Sequence, residues 1–207
     1  MTNHEGSQQD PLADVDDDPH VKVSRLPPLP KPLDPLVAQL FDDTRKRGGH
    51  ILNLHKTNGH APKLSRAKRP FTYALRNECD TPRIFREIAI CRTAINVDCP
   101  YELHHHHPFA LQAGLNETQF EALKDWRAQA QLFEPAQRAV LAYVDELTLQ
   151  KGAVSDETFA ELARHFNAQE IVEITYNSTS YYASGLYMKA LGIQPDAAHK
   201  KAAPGKF

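Results

Sequence analysis

From residue 34 onward apolar side chains recur every three to four positions, and the recurrence is cut into segments by helix start and stop residues. Asp34 followed by Pro35 is an N-cap and first-turn pair, after which Leu36, Val37, Leu40, Phe41 and Thr44 keep helical spacing until Gly48 and Gly49. A second helix is expected from His50 to about Asn58. A less regular one is expected between Pro62 and Glu78, with Pro70 kinking or breaking it. Thr81-Pro82 reads as the cap of a helix whose stripe is Ile84, Phe85, Ile88, Cys91 and Ile95, and Asp98 as the cap of one reaching Gly114. Asn116 with Gln119 forms a capping box. "EPAQRAVLAYVDELTLQKG" and "SDETFAELARHFN" are two further amphipathic helices, and a last one runs from about Gln169 to Leu191 before Gly192. No segment alternates with period two between hairpin turns. The fold class expected is therefore all-α, with no internal repeat.

The first 33 residues differ in kind. They hold an acidic cluster, Asp14, Asp16, Asp17 and Asp18, and then "RLPPLPKPLDP", which favours polyproline II over a packed helix. We expect a flexible arm over 1–33, draped over a neighbouring subunit if ordered, then one helical domain over 34–195 and a flexible tail over 196–207. The 207 residues suit a single core. With 24 Lys and Arg against 26 Asp and Glu, no overall field favours nucleic acid or an anionic membrane surface. No apolar run approaches the roughly 20 residues that cross a bilayer, and the polar, acidic start does not resemble a secretory signal. A cytoplasmic protein acting on a small molecule is expected. Three cysteines do not make a disulfide framework.

The candidate chemistry lies in "NVDCPYELHHHHPFA". On a helix that begins near Cys99, Glu102 and His106 share its face; Cys99 and His106 are two turns, roughly 10 Å, apart, with Glu102 between them. A helix start stabilises anions, so a lowered thiol pKa is expected at Cys99. Glu87 borders the apolar stripe of the preceding helix, and antiparallel packing of the two helices would bring it toward this face. The ordinary alternatives are a cysteine that merely packs and carboxylates paired with Arg83, Arg86 or Arg92. Consecutive histidines point around a helix, so the four cannot meet one ion. Neither a metal nor a cofactor is expected, and His104, His105 and His107 are assigned to an exposed or subunit-facing surface.

"REIAICRTA" followed by "CPYELHHHHPFALQAGLNETQFEAL" resembles the carboxymuconolactone decarboxylase superfamily, which includes the alkylhydroperoxidase D-like proteins. The resemblance extends from about Leu52 through "GHAPKL" and on to "ALGI". It implies an all-helical fold assembling as a dimer, trimer or hexamer, with active sites between helices. The peroxidase motif of that superfamily is a glutamate, eleven residues, a cysteine, two residues, a second cysteine, three residues and a histidine. Glu87, Cys99 and His106 fall on its first, second and fourth positions, while Glu102 replaces the resolving cysteine. The leading expectation is acid/base chemistry on a small carboxylated or lactone-type substrate. In it Glu102 and His106 are the acid/base pair, Glu87 orients or polarises one of them, and Cys99 lines the pocket. The alternatives are thiol-dependent peroxidase chemistry at Cys99, with Cys91, a second subunit or a small external thiol as resolver, and a non-catalytic member.

Overall fold

Helix α4, Arg83–Asn96, is buried at every residue from Arg86 to Ala94. A helix buried all round must be wrapped by other elements, and α4 packs against α5 (Pro100–Gln112), α7 (Pro135–Leu149) and α9 (Ala168–Leu191). The computed structural model describes residues 22–196. Its remaining helices are α1 (Pro35–Lys46), α2 (Asn53–Asn58), α3 (Pro62–Asn77), α6 (Glu117–Ala122) and α8 (Asp156–Ala163), with 3-10 turns at Leu123–Asp125 and Ala130–Leu132. No strand occurs among the described residues, as the patterning requires. None of their helices is long and apolar enough to cross a membrane.

The main apolar core joins Ile88 of α4 to Val140, Leu141 and Val144 of α7, Leu162 of α8 and Ile174 of α9. Polar groups on α4 can be buried only if they are paired. Arg86 donates to the carbonyls of Leu75, Arg76 and Thr81, which ties the end of α3 to α4. Arg92 donates to Asp145 of α7 at 2.6 Å, and Thr93 meets Ser178 of α9 at 2.8 Å.

Local signals placed most helix ends. Asp34, Asn116 and Ser155 cap as expected, Asn167 caps α9, whose start at Ala168 is one residue ahead of the expected one, and Gly192 ends α9 with φ 60°. Four details differ. Helix α2 starts at Asn53, not His50. Helix α3 continues through Pro70, because Arg66, the residue one turn earlier whose carbonyl loses its bond, is exposed and can be hydrated. Thr81 does not cap α4: its hydroxyl donates to Glu173 of α9 at 2.6 Å, and Pro82 takes the cap position. Asp98 does not cap α5 either. It turns the chain with φ 52° and pairs with Lys189 at 3.1 Å, leaving Cys99 at the cap.

Residues 1–21 and 197–207 lie outside the described residues. The rest of the expected arm, residues 22–33, has no helix and is held to the chain's own body. Arg25 N–H donates to the Leu191 carbonyl at 2.7 Å, the Val23 carbonyl accepts from Gln194, and Leu29 and Leu33 pack on Val37, Phe41 and Ile51. Asp196, placed at the start of the tail, is buried and accepts from Asn53 N–H and the Tyr101 hydroxyl.

Candidate active site

Helix α4 delivers Glu87 and α5 delivers Glu102 and His106 to one enclosed point; all three are buried. His106 Nδ1 lies 2.8 Å from Glu87 Oε2, and its Nε2 lies 3.7 Å from Glu102 Oε2. The second distance exceeds a hydrogen bond. The other Glu87 oxygen accepts from Arg83 Nε at 3.3 Å, so of the three arginines considered for it only Arg83 is the partner. Arg86 and Arg92 are used structurally elsewhere. Against the His106 ring stands Tyr181 of α9, edge-on with centroids 4.8 Å apart, and the Tyr181 hydroxyl accepts from Arg76 Nε at 3.4 Å.

The two carboxyls are driven in opposite directions. Burial would raise Glu87, but His106 and Arg83 outweigh it and hold the group below its ordinary value. Burial raises Glu102, and the attraction of His106, Arg76 and His105 only moderates the rise. A pair of carboxyls whose environments split their pKa values can serve as base-orienting anion and proton-holding acid at the same pH.

Cys99 neighbours Glu102 but takes no part in the ion pairs of His106. It packs with Val97, Tyr101, Met188 and Ile193 in a second apolar cluster, 3% exposed, and a Cβ on Gly185 of α9 would come within 3.4 Å of its own Cβ. Burial and the charge of Glu102 raise its thiol pKa despite backbone N–H groups of Glu102 and Tyr101. The lowered value expected from a helix start is therefore corrected: desolvation exceeds the helix-end effect. Cys91, in the main core and fully buried, is raised further by burial and by Glu87 and Glu102.

The four histidines part in different directions. His105 is buried, stacks on Tyr101 and lies 3.3 Å from Asp196, so its assignment to an exposed surface is corrected. His107 meets Glu117 at 2.9 Å, and His104 is half-buried. Sequence reading missed Arg76, at the end of the preceding helix, and Tyr181, on a helix far along the chain; neither carries a local motif.

The α4–α5 pair within this helical wrap has counterparts of known structure. An uncharacterised peroxidase-related protein from Silicibacter sp. TM1040 superposes with TM-score 0.75 at 18% identity, over 86% of this chain and 95% of that one. A peroxidase-related protein from Ralstonia eutropha JMP134, an alkylhydroperoxidase AhpD core, gives TM-score 0.74 at 20% identity over 86% and 95%. The chain has the alkylhydroperoxidase D-like fold. The debrominase Bmp8 superposes with TM-score 0.68 at 20% identity over 86% of this chain and 94% of that one, and a cysteine-to-alanine variant of it was solved with 2,3,4-tribromopyrrole. At these identities the likeness is one of fold, which is what the resemblance read from the sequence leads one to expect. No family model matches the chain, and no curated protein matches it significantly.

Proposed function

We propose that the protein is an acid/base enzyme that moves a proton next to a carbonyl on a small lactone-type or carboxylated substrate, as in decarboxylation or isomerisation. The observation that carries this reading is His106 held between two carboxyls of split pKa. Glu87, ionised, accepts from Nδ1–H and fixes the tautomer, so Nε2 is the nitrogen that exchanges a proton. Glu102, neutral to higher pH than an ordinary glutamate, is the acid that returns a proton to the substrate. Tyr181 closes the ring face and adds a phenol whose pKa burial raises.

The test is deuterium incorporation from solvent into a γ-lactone carrying a carboxymethyl group, followed by proton NMR. Glu102→Gln or His106→Asn is expected to slow exchange by roughly a hundredfold or more while leaving the fold intact, and Cys99→Ser to change it little. Exchange unaffected by Glu102→Gln would end the proposal.

Thiol chemistry is the second reading, favoured by the position of Cys99 at the cap of α5 and by the peroxidase-related and debrominase neighbours. It requires a thiolate, and the buried, apolar surroundings of Cys99 oppose one. Consumption of an alkyl hydroperoxide with an external thiol, or reductive debromination of a bromopyrrole, abolished by Cys99→Ser, would establish it instead.

A further inference from the structure

Arg76 of α3 reaches the Tyr181 edge of the site, and nothing in the reaction just proposed uses it. Its backbone is fixed from beneath, because the buried guanidinium of Arg86 takes the carbonyls of both Leu75 and Arg76 at 2.9 Å. Its own guanidinium extends to Tyr181, whose ring lies against His106. Its surroundings are desolvating, with Tyr181, Glu102 and Glu87 all interacting with it, yet the residue keeps exposed surface. The guanidinium thus stands near the buried acids while the residue as a whole keeps exposed surface. Among the described residues no carboxylate lies within ion-pairing distance of it: Glu87 is taken by Arg83 and His106, and Glu102 faces His106 Nε2. Lys68, two turns earlier on the same helix, adds positive potential at Glu102 and holds Ser184 of α9 at 3.3 Å. The approach to two buried acids is thus lined with positive charge.

We infer that Arg76 is a specificity residue that anchors a carboxylate of the substrate, holding it at the Tyr181 edge of the site while the reacting carbon faces His106 Nε2. A guanidinium offers a planar fork that matches a carboxylate, and with Nε engaged by the Tyr181 hydroxyl no ion-pairing carboxylate among the described residues takes the terminal nitrogens. The inference rests on the acid/base reading for the reaction but concerns recognition alone. It selects small organic monoanions and rejects their neutral esters.

The experiment titrates the same carboxymethyl γ-lactone and its methyl ester into the full chain, following the His106 ring by nitrogen-resolved NMR, with turnover measured in parallel. The wild type is expected to bind the acid at least tenfold more tightly than the ester. Arg76→Gln is expected to abolish that preference and Arg76→Lys to restore part of it, with circular dichroism unchanged, since Arg86 binds only the main chain at position 76. In turnover the Arg76→Gln change is expected in KM more than in kcat. Equal binding of acid and ester by the wild type, no binding of either, or an unchanged preference in Arg76→Gln would overturn the inference. If the acid is bound through Arg76 but never exchanges deuterium, the anchor stands and the proposed reaction fails.

Discussion

At the scale of single residues the opposite shifts of Glu87 and Glu102 set the pH behaviour. Catalysis as proposed needs Glu87 ionised and Glu102 protonated. Turnover therefore rises as pH climbs through the depressed value of Glu87, below the ordinary 4.5, and falls as it climbs through the raised value of Glu102, above 4.5. In Glu102→Gln the residual activity is expected to lose that upper limb and keep the lower one; an unmoved upper limb would assign it to another group. Stability follows the same signs. The Glu87 contribution is present above its unfolded value and lost as pH falls through the folded one. The Glu102 contribution is present below its unfolded value and lost as pH rises through the folded one. Helical phase made Cys99, Glu102 and His106 legible together, the border of the α4 stripe added Glu87, and the family motif fell on the same positions. What phase could not reveal is which neighbour each would meet: His106 turned to Glu87, while Cys99 was drawn into the apolar cluster of Val97 and Met188.

At the scale of elements, α4 and α7 are locked by one carboxylate. Asp145 accepts from Arg92, Asn96, Trp126 and Arg127, gathering α4 and the 123–127 segment onto α7. Burial would raise its pKa, but these four donors outweigh that and lower it. Asp145→Ala would leave the buried Arg92 guanidinium without its anion, and a loss of about 3–5 kcal/mol is expected in chemical denaturation. A loss below about 1 kcal/mol would show that Arg92 finds another acceptor. None of this network was visible in the chain, since its members are up to 53 residues apart. Helix existence was legible because it depends on local periodicity and caps. Asp98 misled because an aspartate before a proline-led helix is a good cap by composition, yet here it sits in the left-handed region with its side chain on Lys189.

At the scale of the whole molecule, the outer face of α9 carries Val172, Tyr176, Thr179, Ala183, Leu186 and Ala190, all exposed and uncharged, at alternating spacings of four and three. Beside it an apolar groove of about 760 Å³ runs between α8 and α9, lined by Phe159, Phe166 and Ile171. That spacing is the seam along which two helices pack, and exposed apolar area on this scale marks an interaction surface. Self-association is the expected outcome, read as a multiple of 23.3 kDa by light scattering at micromolar concentration. Tyr176→Glu is expected to reduce it to the monomer, and a wild-type monomer would refute the expectation.

The enclosure of α4 from Arg86 to Ala94, set against the exposure of α3, has a consequence for how the molecule comes apart. On α3 only Leu75 is buried, while Leu64, Phe71 and Tyr73 stand exposed. Amide hydrogens of α4 should exchange with solvent deuterium only at the rate of global opening, those of α3 far sooner, through excursions confined to that helix. Glu87, on α4, belongs to the slow part of the molecule; on α3 the opening should be easiest in the first turns and hardest at Leu75 and Arg76, whose carbonyls Arg86 holds. In a mild denaturant there is then a range of concentration in which the amides of α4 stay protected while the first turns of α3 are already open.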